Sequence, residues 1–268
     1  MSENQFSQRF GGTQRLYGTR PTEVLRHAHV AIAGIGGVGS WVAEALARTA
    51  IGQITLIDLD DICVTNTNRQ IHALTTTVGE AKVEAMAKRI KQINPDCQVN
   101  IIEDFVVSDN VSSLFNTRMD YVVDATDSVK AKAAMIAHCK RHKIPVITIG
   151  GAGGQTDPTQ VAIADLSKTI HDPLAAKLRS ILRKEYHFSS NPKRKFGISC
   201  VYSTEQLVYP QQDGSVCQTK NLADGSVKLD CNNGFGASVA VTATFGFVAA
   251  ARVIDKIIEK AERHSSNS

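Results

Sequence analysis

No two of the six cysteines, at 63, 97, 139, 200, 217 and 231, stand close enough to make a C-x-x-C pair. That argues against both a zinc ribbon and a disulfide scaffold. The opening residues MSENQFSQRFGG lack a basic flank followed by an apolar run, so no signal peptide is expected and the cytoplasm is the default compartment. There is no internal repeat and no low-complexity tract, which sets aside solenoids and disordered linkers. A strong charge imbalance is missing as well: a net charge of +4 allows a nucleic-acid partner without demanding one. Long uncharged stretches are scarce, and the one that stands out is Gly234 to Ala251, eighteen residues without a charge. Its Gly, Ala, Ser and Thr content, and its continuation into RVIDKIIEK, read as a buried, close-packed terminal helix from about Ala237 to Glu262. Membrane association through residues 234–251 is the minor alternative.

What is present is enough apolar content, 43% of 268 residues, for one large α/β domain in preference to two small ones. The chain is organised around residues 29–70. The apolar run Val30 to Ala33 meets Gly34, Gly36, Gly37 and Gly39, a G-x-G-x-x-G match placed where a buried strand gives way to a helix over Val38 to Thr49. Glycines there permit a tight turn and let bare backbone approach a phosphate, while the helix aims its free amides and positive dipole end at the same spot. A second strand, Gln53 to Leu59, carries Asp58 nineteen residues after Gly39, about where a ribose-binding acid is expected.

Further along, a helix is expected from about Gly79 to Asn94, ended by Pro95. Then come a strand at Val99 to Ile102, a short helix at Asp109 to Phe115, a strand at Tyr121 to Ala125, a helix at Val129 to Lys143 and a strand at Pro145 to Ile149 that runs into GGAGGQ. Such alternation implies parallel pairing and a doubly wound, mainly parallel Rossmann-like sheet, with ligands at the carboxyl ends of the strands. That rule gathers Asp58, Asp124, Asp127 and Gly150 to Gly154 on one edge, facing the glycine turn. After Thr156 the alternation stops, and Val161 to Ile163 and Cys200 to Tyr202 read as a C-terminal antiparallel extension before the terminal helix. The expected organisation is therefore residues 1–28 as a polar arm and a short helix beginning at Pro21, 29–160 as the nucleotide-binding Rossmann-like core, and 161–268 as a basic substrate-facing segment packed on the same domain.

Asn66, Arg69 and Lys82 fall within reach of the same strand edge as Asp58, and the next strand end adds Asp127 in VVDATDS. A nucleotide site, two cations and an acid able to hold Mg²⁺ describe phosphoryl chemistry better than hydride transfer. Taken singly, Arg69 could be a surface ion pair and Asp127 a helix cap. The segment Lys168 to Lys195 concentrates positive charge in Lys177, Arg179, Arg183, Lys184, Lys193, Arg194 and Lys195, a contact for RNA phosphates or simply a solvated face. Arg9 and Arg20 read as solvated charges. Cys231, in LDCNNG, has no neighbouring base in the sequence and reads as a buried structural thiol in preference to a nucleophile.

The set GIGGVGS, LIDLDDICVTNTNRQ, Gly79 to Lys82 and DATDS resembles the ubiquitin-activating-enzyme-like adenylating superfamily over roughly residues 9–160. The resemblance implies acyl-adenylate formation from ATP and Mg²⁺, with Asp58 on the ribose, Asn66, Arg69 and Lys82 on the phosphates, and Asp127 on the metal. It also implies that Arg15, in GGTQRLYG, reaches into the site of a second copy in a homodimer. Without paired C-x-x-C motifs the chain departs from the sulfur-carrier-activating branch and its structural zinc. RFGGTQRLYG, ICVTNTNRQIHAL, GGAGGQTDPTQ, DPLAAKLR and CNNGFGAS resemble instead, over nearly the whole chain, the bacterial enzymes that dehydrate N6-threonylcarbamoyladenosine (t6A) beside the anticodon of tRNA to its cyclic form. A cysteine desulfurase and its sulfur acceptor are associates by the same resemblance. The alternatives are adenylation of a sulfur carrier's C-terminal glycine, an NAD-dependent oxidoreductase, and a non-catalytic RNA-binding protein.

Overall fold

A computed structural model of the chain describes residues 2–211, 213–218 and 235–266. Two helices lead: α1 (Glu3–Tyr17) and α2 (Thr19–His27), separated by Gly18 at φ +94°. The first replaces the expected polar arm, and α2 starts two residues before Pro21. Paired glycines disfavour a helix over RFGGTQ. The local signal is overridden by a Ser2–Gln5 capping box and by Phe6 and Phe10, one turn apart, packing on Ala50.

The core then alternates: β1 (His29–Ala33), α3 (Gly39–Arg48), β2 (Gln53–Ile57), α4 (Lys82–Ile93), β3 (Gln98–Ile102), α5 (Val111–Leu114), β4 (Tyr121–Asp124), α6 (Val129–Arg141) and β5 (Val146–Ile149). After these come β6 (Val161–Asp165), α7 (Pro173–Tyr186), β7 (Ser199–Ser203), the short pair β8 (Tyr209–Pro210) and β9 (Val216–Cys217), and α8 (Val239–Ser266).

Among the described residues one seven-stranded sheet runs in the order β3-β2-β1-β4-β5-β7-β6. Every pairing is parallel except β6 with β7. The expected C-terminal antiparallel extension is the β6–β7 pair, joined to the same sheet. β7 continues the parallel sheet beside β5 (Ile147 opposite Ser199), and only the edge strand β6 is reversed. From β1 the chain builds outward to β3, then returns to place β4 on the other side of β1. The order therefore reverses between β1 and β4, the place where such sheets open a ligand crevice.

Strand residues alternate between two cores. Val30, Ile32, Ile54 and Leu56 pack with α3, α4 and α8, whereas Ala31, Ala33, Ile57 and Val122 pack with α5, α6 and α7. Burial on both faces explains why the central strands read as continuous apolar runs. In α8 the small residues serve close approach: a Cβ on Gly246 would lie 2.7 Å from the Trp41 Cβ and 2.9 Å from the Val38 carbonyl oxygen, so α3 and α8 meet almost backbone to backbone. Among the described residues no helix is long and apolar enough to cross a membrane.

Glu44 ties α3 to α4. Its buried carboxylate accepts from Arg89 Nε at 2.6 Å and Nη2 at 3.0 Å, and from Arg48 Nε at 2.7 Å. Burial pushes its pKa up, but the bonds from Arg89 and Arg48 outweigh that and hold it below the usual value. A depressed native pKa gives stability that is present above the unfolded-state pKa and lost as pH falls through the native one. Glu44→Gln is expected to cost about 1–2 kcal/mol at neutral pH, since both arginines keep partial solvent contact. Urea denaturation checks this, and the gap from the parent chain should narrow below about pH 4.

Candidate active site

The turn after β1 sits at the order reversal. Gly34 has φ +86°, and a Cβ there would lie 2.7 Å from the Ala125 carbonyl oxygen at the end of β4. A Cβ on Gly39 would fall 1.8 Å from the Gly34 carbonyl oxygen, so only bare backbone closes this turn. Over its outer side lies Arg69, whose Cγ and Cδ would stand 3.2 Å from a Cβ on Gly37. The guanidinium is held by the Thr65 carbonyl and the Asn68 side chain, each at 3.0 Å. The Arg69 backbone carbonyl accepts from Trp41 Nε1 at 2.9 Å, locking the TNTNRQ loop to α3.

Asp58, at the end of β2, reaches across the edge: its Oδ2 accepts from the Ile35 amide at 2.6 Å and its Oδ1 from the Asp60 amide at 2.9 Å. Lys82, the buried first residue of α4, places Nζ 2.7 Å from Asp60 Oδ2 and 3.9 Å from Asp58 Oδ1. Asp58, Lys82, Arg69 and the glycine turn are therefore brought together as the sequence suggested. Asn66 is buried nearby, but its oxygen accepts from the Cys63 amide at 3.0 Å, closing the turn that carries Arg69. Asp127 is exposed just beyond β4, directly after the Ala125–Thr126 backbone that meets Gly34. Arg15 is not gathered with these groups. It is exposed on α1, a helix anchored where the strands begin: Arg9 donates to the Ile93 carbonyl at the end of α4. Cys231 lies outside the described residues.

Several supports escaped the sequence reading. His72 Nε2 contacts the Ile35 carbonyl oxygen at 2.9 Å, and burial lowers its pKa, keeping the ring neutral beneath the turn. Gln70, whose Nε2 would stand 3.8 Å from a Cβ on Gly36, is buried as well. Gln70 Oε1, His72 Nδ1 and Ser40 Oγ are buried without hydrogen-bond partners among the described residues, a polar lining suited to a polar ligand. Lys132 is completely buried, with Nζ 3.2 Å from Asp124 Oδ2, 2.8 Å from the Ile149 carbonyl and 3.3 Å from Thr148 Oγ1. Asp124 Oδ1 in turn accepts from the Thr126 hydroxyl at 2.8 Å. One buried ion pair thus fixes the end of β4, with its DATDS loop, against the end of β5. Its only sequence signal was a lysine amid the alanines of VKAKAAM. Asp172 does the equivalent for the next loop: Oδ2 accepts from the Gly151 amide at 3.0 Å, where a Cβ on Gly150 would collide at 1.8 Å.

The basic segment is laid out by α7. Lys177 and Lys184 are exposed on it, Arg183 lies 5.4 Å from the Phe196 ring centre, and Lys193, Arg194 and Lys195 are exposed in the following loop. Among the described residues no group of three or more His, Cys, Asp or Glu side chains could cage a metal ion.

A doubly wound sheet carrying a glycine turn, an acid at the end of β2 and two cations beside the turn is the arrangement of a nucleotide-binding fold of the adenylating type. Residues 11–268 match the ThiF family, and the chain belongs to that family. It is 59% identical over 256 residues to the tRNA threonylcarbamoyladenosine dehydratase of Escherichia coli K12, covering 96% of both proteins. The crystal structure of the E. coli tRNA N6-threonylcarbamoyladenosine dehydratase in complex with ATP superimposes with a TM-score of 0.87 at 54% identity, covering 98% of each chain. The molybdopterin-synthase adenylyltransferase of Salmonella typhimurium is 33% identical over 126 residues, 47% of this chain and 50% of that protein.

Proposed function

We propose that this protein is an ATP-dependent tRNA threonylcarbamoyladenosine dehydratase, which closes the t6A side chain to its cyclic form by adenylating the threonyl carboxylate. The observation that carries the reading is the convergence of the glycine turn, Arg69 and Lys82 at the β1/β4 reversal, in a chain that matches a dehydratase of that name over 96% of its length. The much shorter match to a sulfur-carrier-type adenylyltransferase argues against a protein C-terminus as substrate.

A carboxylate oxygen leaves poorly, so ring closure with loss of water needs activation. The carboxylate attacks the α-phosphorus of ATP; the new O–P bond forms as the bond to pyrophosphate breaks. A carbamoyl nitrogen or oxygen of the same side chain then attacks the acyl carbon while the carbamoyl group gives up an N–H proton, and AMP departs with the carboxylate oxygen. The second step is intramolecular, so proximity supplies much of its rate and no cysteine nucleophile is needed. Asp58 fits the ribose hydroxyls, while the free amides at the start of α3 and the Arg69 guanidinium face the phosphates. Lys82, leaving Asp60, offsets charge on the α-phosphate and on the departing pyrophosphate; Asn66 acts by holding the Arg69 loop. Asp127, an exposed hard oxygen donor at the crevice, suits Mg²⁺, which takes few protein ligands when phosphates supply the rest. When bound, that ion would neutralise phosphate charge. Arg15 reaches a phosphate only if a second copy presents it, so the mechanism calls for a homodimer. Cysteine desulfurase and sulfur-acceptor proteins remain associates by resemblance only.

Nucleoside mass spectrometry of t6A-modified tRNA after incubation with the protein, ATP and Mg²⁺ tests the proposal. Loss of one water from the modified adenosine, dependent on ATP and abolished in Asp127→Ala, is expected. ATP binding with no mass change in the nucleoside would refute the substrate assignment.

A further inference from the structure

A cavity of about 760 Å³ lies at the sheet edge opposite the glycine turn, beneath the starts of β4, β5 and β7. Its walls carry Lys195 from the loop after α7 and, from α8, Arg252, Lys256, Lys260 and Arg263. The spacings of four, four and three residues put those α8 cations along one face of the helix. Cations outnumber acids five to three, the acids being Asp120, Asp165 and Glu259. Glu259 braces Lys256 and Arg263, and Asp120 pairs with Lys260, so the side chains are held in the groove. Arg252 Nε is buried with no hydrogen-bond partner among the described residues.

This groove is joined to the active edge by charge. Helix α7 begins at the Asp172 contact with Gly151, beside the crevice, and its fourteen residues carry it about 21 Å back along the sheet. Lys177 and Lys184 are exposed along it, and the loop beyond adds Lys193, Arg194 and Lys195, the last already in the groove. That loop is pinned, not loose: Asp165 accepts from the Phe196 and Gly197 amides at 2.9 and 2.7 Å, and Lys168 donates to the Pro192 carbonyl at 2.6 Å. A cationic track therefore leads from the nucleotide crevice along α7, round the lower edge of the sheet, and ends on α8.

We propose that the α8 groove is a second contact for tRNA, taking backbone phosphates of the stem while the modified base occupies the crevice at the other edge. This inference rests on the tRNA reading above. A polyanion with regularly spaced phosphates fits a track of spaced cations that starts at the substrate site, whereas an acidic protein surface would have no reason to follow α7. The consequence is that the enzyme measures the length of its RNA: a molecule confined to the anticodon loop fills the crevice and leaves the groove empty.

The test is the triple variant Lys256→Glu, Lys260→Glu, Arg263→Glu, with the corresponding Gln variant should charge reversal impair folding. Binding of full-length t6A-modified tRNA and of a seven-nucleotide anticodon-loop RNA is followed by fluorescence anisotropy from low to moderate salt. Affinity for full-length tRNA should drop at least about tenfold at roughly 0.1 M salt, and its log–log salt slope should shallow by about two to three. Affinity for the heptanucleotide and for ATP should stay unchanged. Unaltered affinity and slope for full-length tRNA would overturn the groove assignment while leaving the dehydratase reading intact, and would leave this surface to an acidic protein. An equal loss for the heptanucleotide would also overturn it, as a general disturbance. Failure of the unaltered protein to bind any tRNA would remove both readings together.

Discussion

Arg69→Ala should lose at least about a hundredfold in adenylation rate, read as AMP formation with t6A-modified tRNA, and should fold normally. Among the described residues the guanidinium makes local bonds, to Thr65 and Asn68, so truncation removes no long-range side-chain anchor there. The tertiary contact of this residue runs through its backbone carbonyl, which accepts from Trp41 and survives the substitution. What is lost is a preorganised cation whose stem lies over Gly37, on the turn proposed to face the phosphates. Arg69→Lys should recover only part of the rate, because an ammonium cannot reproduce the planar fork of donors. Turnover within about tenfold of the parent protein in Arg69→Ala would take this residue out of the mechanism.

Lys132→Met should be the most destabilising single substitution at the active edge, by about 3–5 kcal/mol, because it leaves the Asp124 carboxylate buried without its counter-ion. Lys132 and Asp124 are both fully buried. The melting temperature is expected to fall on the order of 10 °C. The double variant Lys132→Met, Asp124→Asn should recover a substantial part of that loss, since it removes the stranded charge as well as its partner. Equal stability of the single and double variants would show that the pair is not coupled. Any folded fraction of Lys132→Met should bind ATP less well, because the same lysine sets the DATDS loop against the end of β5.

Much of the crevice was legible in advance because its parts are contiguous. A glycine turn, the helix it opens and an acid about twenty residues on are local patterns, and local sterics and dipoles suffice to read them. The basic segment was legible as charge, though not as a path: only the direction of α7 shows that it links the two edges of the sheet. The first helix was illegible because its glycines argue against it and its anchor, Ala50, is forty residues away. Arg15 illustrates a different limit. Its motif marks it for phosphate chemistry, while the fold keeps it on a helix packed where the strands begin.

By itself the amino-acid order determined the alternation of strands and helices and the doubly wound arrangement, and it singled out Gly34, Gly39, Asp58, Arg69 and Lys82 as the candidate nucleotide set. Periodicity reports burial over a few residues, and right-handed crossovers leave few ways to assemble what it reports. Only the tertiary structure decided that β7 enters the main sheet, that Asn66 braces a loop through Cys63, that Lys132 is paired in the core, and that α8 lines a cationic groove with Lys195. Each of these depends on which distant segments become neighbours. A buried lysine and a solvated one look the same in a sequence until the carboxylate opposite it is known.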